Sequence, residues 1–319
     1  MRGLVTVFGG SGFLGSYVVR ALAKRGWRIR VAVRRPNLAY RLRPMGDVGQ
    51  IQLFQANVGV PETVEQALDG ADACVNLVGV LYQTPSRSFQ RVHVEGAANV
   101  AEAAAARGIS KFVQMSAIGA DPDARSDYAR SKGEGERQVK KRIASARVLR
   151  PSVLFGPEDD FFNRFAAMTG WSPALPLIGG GKTRFQPAYV ADVGRAVAQC
   201  LDDDAPAGQT YELGGPRTYT FKELMQIVLR ETHRSRLLLP VPGTVAGLIG
   251  LVGDMTAITP FKPMLTSDQA LLLETDNVVS AEAQGFEALG VAPASVESIV
   301  PTYLWRYRKD GQFADAVPV

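Results

Sequence analysis

Short apolar runs rich in β-branched residues alternate with longer amphipathic segments through the first 150 residues. The runs are LVTVF (4–8), IRVAV (29–33), IQLF (51–54), ACVNLV (73–78), KFVQM (111–115) and ARVLR (146–150). Between them, FLGSYVVRALAKRG, PETVEQALDG, FQRVHVEGAANVAEAAAARG and DYARSKGEGERQVKKRI read as helices. Parallel strands cannot be joined by tight hairpins and need a crossover, so this alternation predicts an α/β fold with a doubly wound parallel sheet. After Arg150 the rhythm breaks into proline- and glycine-rich stretches, with further helices expected over Val190 to Leu201 and Phe221 to Arg230. Residues 1–150 plus about 186–215 are expected to form the sheet domain. About 151–185 plus 216–308 are expected to form a smaller, discontinuous α/β lobe, and 309–319 a loose tail.

The apolar stretch from Leu237 to Gly253 is interrupted by Pro240 and Pro242 and is too short to span a bilayer, so no transmembrane segment is expected. It reads as a buried helix of the second lobe, with a surface against a membrane or partner as the alternative. The net charge of +5 gathers partly in Arg28, Arg30, Arg34, Arg35, Arg41 and Arg43. No aromatic residues interleave that cluster for base stacking, so a local anionic ligand explains it better than nucleic acid. Cys74 and Cys200 sit among apolar neighbours and read as buried thiols, not a disulfide framework. The opening MRGLVTVFGG runs straight into a strand, from which a cytoplasmic protein is expected. No metal site is expected.

Ligands of doubly wound sheets bind beyond the carboxyl ends of the strands. The stretch GGSGFLG (9–15) lies there, between the first strand and first helix. Gly9 and Gly10 suit a tight turn, Gly12 a close approach of backbone to a pyrophosphate, and Gly15 the packing of helix on strand. Ser11, Phe13 and Leu14 complete this candidate dinucleotide loop of a Rossmann domain. Where an acid would hold the ribose of NAD, the second strand ends in VAVRRP. Arg34 and Arg35 can fork onto a phosphate, so NADP(H) is expected over NAD(H). Asn57 is a candidate for the adenine edge and equally a turn residue. Val78, Gly79 and Pro151 complete the candidate cofactor set. GGGKT (179–183) is not a phosphate loop, because Pro176 stands where its first glycine is required.

Tyr128 and Lys132, four apart in DYARSK, share one helix face, and Ser116 leaves the fifth strand. With the glycine loop, this set resembles the short-chain dehydrogenase/reductase superfamily. RPSVLFGP (150–157), PAYVADVGRAV (187–197) and YELGGP (211–216) are similar to landmarks of its extended branch. The resemblance implies that Lys132 bonds the nicotinamide ribose and lowers the pKa of Tyr128, while Ser116 orients a substrate oxygen. His93 stands where many extended members carry asparagine and reads as a hydrogen-bonded packing residue. In FFNRFAAMTGWSPALP and its surroundings, Lys182 and Arg184 are the polar residues on offer to a nucleoside sugar.

RPSVLFGPEDDFFNRFA, TPFKP (259–263) followed by LTSDQALLLETDNVVS, and YLWRYRKDGQF resemble the nucleotide-binding accessory subunits of respiratory complex I in their alpha-proteobacterial form. That resemblance implies an NADPH held as a fixed part, complex I subunits as partners, and a place peripheral to the cytoplasmic face of the bacterial inner membrane. The alternative is a free-standing NADPH-dependent reductase or epimerase acting on a sugar nucleotide or a lipid-like carbonyl compound.

Overall fold

A computed structural model describes residues 2–202, 206–256, 263, 265–309 and 311. Part of the TPFKP segment (259–262) and the chain from 312 onward lie outside them. The chain divides into two compact units. Unit 1 comprises Met1–Pro151, Val190–Leu213 and Ser280–Ala292, and unit 2 Ser152–Tyr189, Gly214–Val279 and Pro293–Val319.

Unit 1 is built on a seven-stranded sheet. Its first six strands are β1 (Leu4–Phe8), β2 (Arg28–Val33), β3 (Ile51–Gln55), β4 (Ala73–Asn76), β5 (Lys111–Met115) and β6 (Arg147–Pro151). A seventh, Thr210–Leu213, pairs with β6. Reading across the sheet from that edge, the order is Thr210–Leu213, β6, β5, β4, β1, β2, β3, every pair parallel. The chain runs outward from β1 to β3 and then returns to β4 on the other side of β1. The crevice between the ends of β1 and β4 is therefore the topological switch point, where such sheets bind ligands.

The helices follow from their patterns. α1 (Phe13–Lys24) packs against helix Val190–Gln199, where Gly194 lies against the backbone of Tyr17. α2 (Pro61–Leu68), α3 (Gly96–Ala106) and α4 (Asp127–Arg142) pack in succession. The single helix expected over 89–108 begins as a π-helical segment, Gln90–Glu95, before α3. α4 is well delimited: the Ser126 hydroxyl caps the Ala129 N–H at 3.2 Å, Asp127 opens the first turn, and Lys140, Lys141 and Arg142 complement the dipole in the last. Two glycines let α4 sit close to its neighbours. A Cβ at Gly133 would meet the Asp121 and Pro122 backbone at 2.5 Å, and one at Gly135 the His93 carbonyl at 2.3 Å.

Unit 2 has an aromatic core of Phe155, Phe162, Phe165, Phe185 and Phe221, joined by Tyr219 and Tyr303. The segment expected as one buried helix over 237–253 is instead a strand, Leu237–Val241, parallel to Ala174–Ile178, followed by helix Gly243–Thr256. Pro240 and Pro242 bar a helix through that junction. Nor is the segment buried: Leu237, Leu239, Leu248 and Leu251 are exposed, Leu248 by 64%, and so is Met255 just beyond it, by 73%. Among the described residues, no helix is long and apolar enough to cross a membrane.

Candidate functional site

The glycine loop lies at the switch point. Gly9 has φ +79°, a conformation that side chains rarely adopt, and a Cβ there would meet Leu77 and Val78 at 3.3 Å. At Gly10 it would press into Val31 at 2.8 Å, and at Gly15 into the Gly9 carbonyl at 2.5 Å. Gly12 differs: it is exposed, and its nearest contact would be the Gly9 carbonyl at 3.4 Å. Three of the glycines thus serve packing, and the fourth keeps an approach open. Gly12 caps α1 without a side-chain oxygen, and no acidic residue follows in the first turn. The leading amides of a helix lack intrahelical partners, so those of Phe13, Leu14 and Gly15 can receive an anion. Ser11 joins the loop by its carbonyl, which accepts a hydrogen bond from Arg41 Nη2 at 2.6 Å.

At the end of β2, Arg34 lines a cleft of about 510 Å³ with Phe54, Gln55, Ala56, Asn57, Thr63 and Gln66. Asn57 borders this cleft and also holds a turn, its Oδ1 accepting the Gly59 N–H at 3.2 Å. The pKa of Arg34 is lowered, first by burial, then by the positive charges of Arg87 and Arg35. Arg87 arrives on a turn closed by hydrogen bonds to Thr84 of 2.9 and 3.0 Å. Three guanidinium groups therefore gather here, and among the described residues none of them is paired with a carboxylate. Such a cluster has an unmet demand for negative charge. Arg41 belongs to the basic cluster read from the sequence, whereas Arg87 lies outside it. Arg87 lies on an irregular turn, where only its charge could draw notice.

At the other end of the crevice, the carboxyl ends of β4, β5 and β6 face α4. Buried Asn76 and Gln114 join β4 to β5 through a 3.0 Å side-chain hydrogen bond, and Asn76 Oδ1 accepts the Val78 N–H at 3.2 Å. These amides, conspicuous in otherwise apolar strands, shape the turn that carries Val78 and Gly79. Pro151 ends β6, and its carbonyl accepts the Ile118 N–H at 3.0 Å. The Ser116 N–H bonds the Leu149 carbonyl at 2.7 Å, while its hydroxyl is buried without a partner among the described residues. A buried hydroxyl in that condition suits a ligand that completes it.

Lys132 is 7% exposed and donates to the Met115 carbonyl at 2.9 Å, which brings it beside Ser116. Its pKa is lowered to about 8, chiefly by burial and partly offset by Glu136. Glu136 in turn holds Arg150 in a forked pair at 2.8 and 2.9 Å. Tyr128 is half-buried, with its ring edge-on to Phe89 at 5.7 Å and to His93 at 5.5 Å. Ser116, Lys132 and Gly79 are thus brought to one end of the crevice, and Arg34, Arg35 and Asn57 to the other. In unit 2, Arg184 is held by Asp276 through bonds of 2.7 and 2.8 Å, and Phe162 and Phe165 belong to the core.

Residues 5–214 match the NAD dependent epimerase/dehydratase family. The NADH-ubiquinone oxidoreductase 40 kDa subunit of Neurospora crassa mitochondria is 31% identical over 308 residues, covering 97% of this chain and 80% of the relative. NADH dehydrogenase [ubiquinone] 1 alpha subcomplex subunit 9 of Arabidopsis thaliana mitochondria is 34% identical, covering 97% and 79%. A ceramide reductase of Caulobacter vibrioides is 32% identical over 228 residues, 70% of this chain and 69% of that one. Among solved structures, the NADPH-dependent quinone oxidoreductase of Escherichia coli complexed with NADPH superposes with a TM-score of 0.72 at 20% identity, covering 94% and 99%. The chain belongs to the NAD dependent epimerase/dehydratase family, in the extended short-chain dehydrogenase/reductase fold, with homologues among the subunits of NADH-ubiquinone oxidoreductase.

Proposed function

We propose that this protein is an NADP(H)-binding accessory subunit of respiratory complex I, and that it holds the dinucleotide mainly as a structural part. The observation that carries this reading is the match to NADH-ubiquinone oxidoreductase subunits along 97% of the chain. The pyrophosphate rests on the amides that open α1, the adenosine phosphate meets Arg34 and Arg35, and Lys132 and Tyr128 take the nicotinamide ribose. A cofactor that binds only the folded chain stabilises it by mass action. The exposed apolar residues of the 237–255 region support a docking role for unit 2, against other complex I subunits at the cytoplasmic face of the bacterial inner membrane.

Affinity capture of the tagged chain from native membranes of its source tests this. Subunits of NADH-ubiquinone oxidoreductase should co-migrate with it after mild detergent extraction. A second reading, an NADPH-dependent reductase of lipid-like carbonyl compounds, is favoured by Ser116, Tyr128 and Lys132 together with the relationship to a ceramide reductase. A chain that migrates alone and turns over NADPH with such a compound would establish this second reading in place of the first.

A further inference from the structure

His93 lies beneath the nicotinamide end of the crevice, outside the roles assigned so far. It is 3% exposed, stacks on Phe89 at 5.3 Å and stands edge-on to Tyr128 at 5.5 Å. Its Nε2 is 3.0 Å from the Val80 backbone nitrogen, and its Nδ1 is 2.9 Å from Ser131 Oγ. The Ser131 hydroxyl is 2.8 Å from the Tyr128 carbonyl. An amide can only donate, so Nε2 must be the acceptor and the single ring proton of a neutral imidazole sits on Nδ1. Nδ1–H then donates to Ser131 Oγ, and the Ser131 hydroxyl donates to the Tyr128 carbonyl. Every donor and acceptor in the chain is used in one direction.

This chain of bonds joins two elements that flank the site. One end is the turn after β4, where a Cβ on exposed Gly79 would lie 3.5 Å from His93 Nε2 and 3.8 Å from Lys132 Nζ. The other end is the turn of α4 that bears Tyr128 and Lys132. Gly135 brings α4 close enough to the π-helical segment for the bonds to form. We infer that His93 is a positioning residue: a tautomer-locked tie that fixes the Val78–Val80 turn relative to the Tyr128–Lys132 face of α4, holding the nicotinamide half-site in shape before the dinucleotide binds. The inference rests on the NADP(H) reading for its ligand. Burial, reinforced by the positive charge of Lys132, lowers the His93 pKa to about 2, so the tie survives throughout the physiological range.

The chain contains two histidines, His93 and His233, so imidazole nitrogen resonances are assigned by one His233→Gln variant. In the ligand-free protein, His93 should show the neutral Nδ1–H tautomer without titrating between about pH 5 and 8. Ser131→Ala removes the pivot and leaves His93 in its packing. The folded variant should bind NADPH about tenfold more weakly while binding 2′,5′-ADP, which lacks the nicotinamide half, as the parent does. A titrating or Nε2–H His93, an unchanged affinity for NADPH, or equal loss of both ligands overturns the tie. Failure of the parent protein to bind either nucleotide would instead count against the NADP(H) reading, and the tautomer measurement would still decide the role of His93.

Discussion

The double substitution Arg34→Ala with Arg35→Ala should weaken NADPH binding on the order of 100-fold while changing NADH binding less than about threefold. Each guanidinium that meets a phosphate contributes about 1.5–3 kcal/mol through a charge-assisted hydrogen bond, and NADH has no adenosine phosphate to lose. Arg34 borders the cleft beside Asn57 and shares its charged neighbourhood with Arg35 and Arg87. Removing two of three like charges also relieves repulsion, so the ligand-free variant should melt no lower than the parent. Isothermal titration with the two nucleotides reads the ratio. An equal loss for both would refute the assignment of the phosphate to these arginines.

Lys132→Met should move stability and binding in opposite directions. Holding the ammonium in the interior depresses its pKa to about 8, which corresponds to a penalty on the order of 3 kcal/mol in the charged folded state. The hydrogen bond lost with it is worth about 1 kcal/mol, so burial outweighs it. The Met115 carbonyl also keeps the Gln114 side-chain amide at 3.2 Å. The ligand-free variant should therefore be the more stable protein at pH 7, by about 2 kcal/mol.

The sign with pH follows from linkage. A lysine whose folded pKa lies below its unfolded value penalises folding fully below about pH 8, and the penalty fades as pH rises towards the unfolded value. The advantage of the variant should thus shrink between about pH 8 and 10.5 in thermal melts. NADPH affinity should fall about tenfold or more, because the ribose loses its ammonium partner. A variant less stable at pH 7, or one that binds NADPH as before, would show that Lys132 serves the fold instead of the ligand.

What could be read from the sequence is what lies within one element or one turn. The six sheet strands announced themselves as apolar β-branched runs, the glycine loop as a cluster after the first of them, and the Tyr128–Lys132 face as a spacing of four. The seventh strand, Thr210–Leu213, escapes such a reading because Glu212 interrupts its apolar run. Among the described residues that side chain meets distant groups: the Ser280 N–H and hydroxyl at 2.9 Å, and Arg150 at 3.6 Å. His93 and Ser131 are 38 positions apart, and no local pattern joins them. The exposure of Leu248 and Leu251, against the expectation of a buried helix, has a related reason. Hydrophobicity states that a side chain gains by burial, not whether its own fold supplies the cover.

If this chain keeps NADP(H) as a lasting component, the nucleotide content of the purified protein will reveal it. Protein incubated with NADPH and passed through gel filtration should emerge with about one reduced nucleotide per chain, seen by its absorbance and fluorescence, and carbonyl compounds added afterwards should leave that signal unchanged. Protein that emerges empty, or that oxidises the bound nucleotide through many turnovers, would rule out a structural role for the cofactor.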